Sequence, residues 1–225
     1  VFPVRDDIQS RVVPWVNYAI IWLNVGVWAW QLSLPDAASW GALREFGLVP
    51  ARFAEGGATD IEGALLPLLS SMFLHGGWLH IIGNLWMLWI FGDNVEDRLG
   101  HGRYLVFYLL VGAAAGLVHV FTHWGAQVPV VGASGAISGV MGAYMVLYPR
   151  ARVRAFLPIL IILIPVTLPA VIFIGLWFVL QFLQGTASLL DPSERGGVAW
   201  WAHIGGFVAG MLLVQLFARP QRSER

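Results

Sequence analysis

Residues 130–144 read "VVGASGAISGVMGAY", a stretch with no charged side chain, glycines at 132, 135, 139 and 142, and serines at 134 and 138. Gly135 and Gly139 are four residues apart, so they share one face of a helix and let a second backbone come close there. A helix so apolar, with a seam of small residues, packs inside a lipid bilayer or inside a large core. The rest of the chain decides between the two.

Of the 225 residues, 58% are hydrophobic and only 12% charged, with a mean hydropathy of +0.71. Soluble domains carry about 25% charged residues, so the composition predicts an all-α, polytopic membrane protein. Six segments are apolar enough to span, at 14–34, 78–95, 103–122, 132–149, 168–184 and 198–217, against the ~20 residues that cross a ~30 Å hydrocarbon core. The second and fourth are short. A further apolar run at 155–167, "AFLPILIILIPVT", is broken by Pro158 and Pro165 and reads as a re-entrant or interfacial segment leading into the fifth helix. No linker and no internal repeat interrupts the pattern, so residues 1–225 form a single membrane domain.

Arginine supplies all thirteen basic residues, and its placement sets an orientation. With a cytoplasmic N-terminus, Arg5, Arg11, Arg98, Arg103, Arg150, Arg152, Arg154, Arg219, Arg222 and Arg225 fall inside, and only Arg44, Arg52 and Arg195 outside. Reading the first run as a cleaved signal peptide spoils this asymmetry, so it is taken as a span. The sizeable loop, 35–77, then lies outside. It mixes Trp40, Phe46, Leu48 and Phe53 with Asp36, Glu45, Glu55, Asp60 and Glu62, a composition expected of short helices lying in the outer interface.

Several chemistries are set aside by composition. Cysteine is absent, so neither a disulfide nor a thiolate metal site exists. No basic run extends beyond Arg150, Arg152 and Arg154, which leaves no footprint for nucleic acid. His75 and His80 in "HGGWLH" have no third histidine or carboxylate placed near them, and there is no HExxH. No metal and no cofactor are expected.

Polar residues within spans cost free energy in hydrocarbon unless they find partners, and so mark function. Helix two carries His80 and Asn84, helix four Ser134 and Ser138, and helix six His203. All three helices enter from the outer side, which places these residues within roughly 10 Å of that end at 1.5 Å per residue. His80 and Asn84 are i,i+4 and share a face. His203 aligns with Gly206 and Gly210, a second GxxxG pair. Packing helix four on helix six through the glycines sets Ser134 beside His203, the requirement for a hydroxyl activated by an imidazole. Free N–H groups in the first turn of helix four, with Asn84 and His80, are positioned as donors to an oxyanion. Gly132 and Gly135 permit the tight turn into that helix.

"GASGAISG", the HxxxN of His80-Ile-Ile-Gly-Asn84, and "AHIGGFVAG", in that order on helices two, four and six, resemble the rhomboid family of intramembrane serine proteases. "GDNVEDRLG" matches the family pattern of Gly92, Glu96 and Gly100, and the likeness covers about residues 65–217. The resemblance implies a bacterial-type six-helix core and hydrolysis of a peptide bond in or near the transmembrane segment of a single-span or polytopic membrane protein. It implies Ser134 as nucleophile and His203 as base of a dyad without an acid, with Asn84, His80 and the Ser134 amide as oxyanion hole. It also implies substrate entry beside helices two and five. A compact core with short tails looks like a member from a bacterial inner membrane, with both termini cytoplasmic and the site near the outer face.

Two features depart from the family pattern. The aromatic that some members place one turn after the nucleophile is Ser138 here, leaving Trp200 or Trp201 to orient His203. The Trp-Arg pair common before helix two is replaced by "LLPLLSSMF". Plainer readings stand beside the chemical ones. Ser134 alone reads as a helix cap, Gly139, Gly206 and Gly210 as packing devices, and Trp86, Trp89, Trp200 and Trp201 as interface belts. His101, His119 and His123 read as interfacial or core histidines, and Glu96 and Arg98 as a structural network. Alternative functions are a non-proteolytic scaffold that binds transmembrane helices, or a small-molecule transporter. Substrate identity and oligomeric state are not written in the sequence.

Overall fold

The computed structural model describes residues 2–56, 61–159, 162–190 and 199–219; Asp60, Arg195, Arg222 and Arg225, used above for topology and loop character, lie outside these. The order is β1 (Phe2–Asp6), α1 (Trp15–Ser33), α2 (Asp36–Phe46), α3 (Pro50–Glu55), a π turn (Ile61–Leu65), α4 (Leu66–Ser70), a 3-10 turn (Ser71–Phe73), α5 (Trp78–Leu99), α6 (His101–Thr122), α7 (Ser134–Leu147), β2 (Arg152–Ile159), β3 (Ile162–Pro169), α8 (Ala170–Leu190) and α9 (Trp200–Phe217). The protein is a helical, polytopic membrane protein. The bundle has two ends: a site end, where α5, α7 and α9 begin, and a far end, where α5 turns into α6.

That turn is a single residue. Gly100 takes φ +82°, and its N–H closes on Glu96 O while its own carbonyl accepts the Tyr104 N–H, so α5 ends and α6 begins in one step. A Cβ there would strike the Arg219 guanidinium as well as strain the backbone. Around this hinge, Leu88, Phe91, Tyr104, Tyr108, Val140 and Tyr144 form a fully buried core that continues to Phe207 on α9.

By length and hydropathy, α6, α9 and residues Ala170–Ala187 of α8 qualify as spans among the described residues, and the pair Gly63–Phe73 and α5, bent by 79°, adds a fourth. The expected six are therefore not all matched by this measure, for two physical reasons. α1 buries Asn17, Asn24 and Gln31, each seven residues from the next, on its inward stripe, which lowers its hydropathy without exposing a polar group to lipid. α7 has only 14 residues, about 21 Å, and is enclosed by α5, α6 and α9. The second segment is longer than read from sequence, with 22 residues, because its charged end remains helical to Leu99.

The segment 155–167, expected to be re-entrant or interfacial, is β-strand over its described residues 155–159 and 162–167. β2 and β3 form an antiparallel hairpin in register from Arg152↔Pro169 to Ile159↔Ile162, and β1 adds to β2 with Phe2↔Phe156 and Asp6↔Val153. A continuous apolar run does not distinguish strand from buried helix; Pro165, which breaks a helix, is tolerated on the edge strand β3, and Pro158 of β2 lies beyond the residues that pair with β1. β3 also takes residues 168–169, which the hydropathy pattern assigns to the start of the fifth helix.

Residues 48 and 71 of the 35–77 segment are tied to the chain before α7. Leu48 and Val130 exchange backbone hydrogen bonds of 2.9 and 2.8 Å, and the Gly132 N–H donates to Ser71 O at 2.8 Å. These contacts fix the residues that lead into α7.

Candidate active site

The α7–α9 contact sets the geometry. A Cβ on Gly206 would overlap Gly135 O, one on Gly210 would overlap Gly139 O, and one on Gly142 would overlap Phe207 O. The two helices thus meet main chain to main chain, and Gly135 and Gly139 also admit Ala115 and Val111 of α6. This seam brings the first residue of α7 alongside the first turn of α9. Ser134 Oγ stands 2.7 Å from His203 Nε2.

The other face of the imidazole is held by a residue that the motifs did not reveal. Gln181 of α8 is buried, and its Oε1 lies 2.5 Å from His203 Nδ1. An amide oxygen only accepts, so the ring proton sits on Nδ1, and the Nε2 lone pair faces the serine hydroxyl. Gln181 thus selects the tautomer a general base needs, without bringing a charge. Trp177 lies over the ring at a centroid distance of 6.0 Å and Trp200 meets it edge-on at 6.1 Å. Trp201 points elsewhere, donating its indole N–H to Gly185 O at 3.0 Å. Of the two tryptophans read as orienting His203, one touches it, and the directional contact is Gln181's. Ser138 Oγ donates to Ser134 O at 2.6 Å, a backbone bond that takes it out of the site.

His80 and Asn84 face the same point. Gly132, at φ +127°, comes so close that a Cβ would fall 2.5 Å from His80 Nε2 and 3.6 Å from Asn84 Nδ2. The Gly76 N–H donates to His80 Nδ1 at 3.4 Å, which leaves the His80 ring proton on Nε2, directed at this gap. Asn84 is buried, and its Nδ2 has no hydrogen-bond partner among the described residues. A buried N–H without an acceptor is costly, and here it borders the half-buried Ser134 across Gly132. His75, beneath His80 with ring centroids 5.1 Å apart, is fixed through its backbone, exchanging bonds of 3.0 Å with both amide atoms of Gln31. Among the described residues no three His, Cys, Asp or Glu side chains are grouped to hold a metal ion.

Glu96 and Arg98 lie at the far end, away from this cluster. Glu96 is fully buried and receives the Val16 and Asn17 N–H groups at 3.0 and 2.6 Å, so that α5 caps the first turn of α1. His101 Nδ1 reaches its Oε1 at 2.5 Å. Asn17 continues the network, accepting from Tyr104 OH at 2.8 Å and donating to Leu88 O at 3.2 Å. Arg98 Nη1 donates to Arg219 O at 2.6 Å, tying the chain after α9 to the end of α5.

A membrane bundle in which a helix-start serine, a histidine from a glycine-packed neighbour and an unsatisfied amide converge near one end belongs to the class of helical membrane proteins with an internal polar site. The Rhomboid domain family model matches residues 62–220, and the chain belongs to the rhomboid family. It is 30% identical over 187 residues to RHOMBOID-like protein 5 of Arabidopsis thaliana, covering 80% of this chain and 51% of that protein. It is 27% identical over 218 residues to Rhomboid protein 1, mitochondrial, of Saccharomyces cerevisiae, covering 92% and 55%, and 31% identical over 158 residues to the human presenilin-associated rhomboid-like protein, mitochondrial, covering 66% and 37%. The chain spans about half, or less, of the length of these curated relatives. Two of them are named as mitochondrial, which gives no support to the bacterial inner membrane read from the compact core.

Proposed function

We propose that the chain is an intramembrane serine endopeptidase acting on membrane-anchored protein substrates. The observation that carries this reading is the 2.7 Å contact of Ser134 Oγ with a His203 whose far nitrogen is engaged by Gln181. Ser134 Oγ attacks the scissile carbonyl and its proton passes to His203 Nε2. The tetrahedral oxyanion is received by Asn84 Nδ2, His80 Nε2–H and the N–H of Ser134. The leaving amine takes the proton from His203, and water, deprotonated by the same nitrogen, releases the acyl group. Each oxyanion donor contributes about 3 kcal/mol of transition-state stabilisation. The arginine asymmetry supports termini on the cytoplasmic side and a site near the opposite face.

Two of the relatives are called rhomboid-like, and a scaffold that binds transmembrane helices without cutting them uses the same fold. A fluorescent fluorophosphonate separates the two. Detergent-solubilised wild type is expected to label, and Ser134→Ala and His203→Ala are expected to lose labelling and substrate cleavage by about 10⁶-fold while melting as wild type does. A folded wild type that fails to label beside an active rhomboid control moves the assignment to the scaffold.

A further inference from the structure

The three-stranded sheet at the far end has no part in that chemistry, and its exposed face gathers arginines. The register sets Arg5 opposite Arg154 and Arg154 opposite Thr167, one row across all three strands, with Arg152 two residues along β2 on the same face. These arginines are exposed, while Val153 and Ala155, which alternate with them, are buried against the bundle. Like charges directly opposed across an antiparallel pair are destabilising. The carboxylate at the edge of the row, Asp7, is engaged by the Arg152 N–H at 2.7 Å. The row therefore holds three cations against one anion.

The face is also amphiphilic. It forms a cleft of about 510 Å³ in which Arg5, Arg152, Arg154 and Thr167 give way to Phe156 and Pro165. Beyond these the hairpin carries no charge, and Ile159, Ile162 and Leu163 are 47%, 63% and 57% exposed. Its height along the bundle is fixed by two hydrogen bonds. Asn94 Nδ2 donates to Asp6 Oδ2 at 2.8 Å, and Trp86 Nε1 donates to Pro3 O at 2.7 Å. β1 therefore climbs along α5 from Asn94 to Trp86, about 12 Å, away from the charged end Asp93-Asn94-Val95-Glu96-Asp97-Arg98. The arginine row lies where that charged end meets apolar helix, and the last described pair of the hairpin, Ile159 and Ile162, lies beyond it.

We propose that this face binds an anionic phospholipid, its phosphate clamped between Arg5 and Arg154 with Thr167 and Arg152 adjoining, and an acyl chain laid along Phe156, Pro165 and Leu163. Guanidinium groups match phosphate oxygens in paired hydrogen bonds. A phosphate ion relieves the opposed charges but leaves the apolar wall uncovered, whereas a lipid satisfies both. Pro165 and Pro169 deny the outer strand N–H groups that an added β-strand needs.

The test uses the full chain, delipidated in a neutral detergent and titrated separately with phosphatidylglycerol, phosphatidylcholine and inorganic phosphate, with melting followed and bound lipid counted by native mass spectrometry. Phosphatidylglycerol is expected to bind and raise the melting temperature, with phosphatidylcholine and phosphate inert at equal concentration. Each arginine removed is expected to weaken binding about fivefold, so R5Q/R154Q loses about 25-fold, while R44Q/R52Q at the other end changes nothing. Unaltered phosphatidylglycerol affinity in R5Q/R154Q overturns the proposal, as does an equal response to inorganic phosphate. Should the double variant not fold, a salt titration of wild type decides: binding that is indifferent to ionic strength is incompatible with a phosphate held by arginines.

Discussion

Two clusters of buried polar side chains occupy opposite ends of this bundle and differ in how completely they are paired. At the far end Glu96 takes two backbone N–H groups and His101, and Asn17 uses both ends of its amide. At the site end the Ser134–His203–Gln181 chain is closed, but Asn84 Nδ2 and both ring nitrogens of His75 have no partner among the described residues. The set Glu96, Asn17, Tyr104 and His101 is closed, although Asn94 Oδ1 and Tyr108 OH near it have no partner among the described residues, and closed networks rigidify. The second cluster keeps donors in reserve around Ser134, which lowers stability and suits the oxyanion proposed for this site.

The contrast is broken most forcefully at Glu96. Glu96→Ala leaves the first turn of α1 without its acceptors and is expected to cost about 3–5 kcal/mol, seen as a much lower melting temperature, with labelling lost in proportion to the unfolded fraction. Asn84→Ala should do the reverse. Cleavage falls about 10²–10³-fold in kcat while melting stays level or rises, because an unpaired donor has been removed; a variant that melts early instead places Asn84 in the structural class.

Gln181→Ala sharpens the comparison inside the site. Losing the group that sets the His203 tautomer is expected to lower kcat about tenfold or more, by analogy with groups that orient metal-bound histidines, with KM little changed. Equal kcat in the variant shows that Trp177 and Trp200 suffice to hold the ring. The smallest effect is expected at Asp6, whose carboxyl burial pushes up to about 6 from 3.8, against a lowering by the Tyr144 hydrogen bond. The fold therefore favours the protonated acid. Its stabilisation is complete below pH 3.8 and is lost as pH rises through 6. Asp6→Asn removes this dependence, so its melting advantage over wild type should grow between pH 4 and 7, by on the order of 1 kcal/mol after solvent screening.

Much of this was readable in the residues. GxxxG spacing in two segments, Ser134 at a helix start and His80 four residues before Asn84 are local patterns, and local patterns survive folding. Gln181 was not readable as a partner of His203, since 22 residues separate them and no period links a residue midway along one helix to the first turn of the next. The buried stripe Asn17, Asn24, Gln31 carries a seven-residue period that marks an inward face, a signal present but outweighed by motif. The sheet was hidden for another reason. β1 pairs with residues some 150 positions away, and past the short alternation Arg152-Val153-Arg154-Ala155 the run is continuously apolar and has no period to betray a strand.

The seam between α7 and α9 also limits what variation can reach. With Gly135 O against Gly206 and Gly139 O against Gly210, the separation of serine and histidine is set by peptide units, which offer no rotamers to retune. Even one methyl group on those glycines pries the helices apart, so the pair cannot be retuned by small steps. Change is admitted instead in segments that border the seam without forming it, such as the lipid-facing side of α8. The spacing of the pair is the fixed part of the molecule, and its surroundings are the part left free to vary.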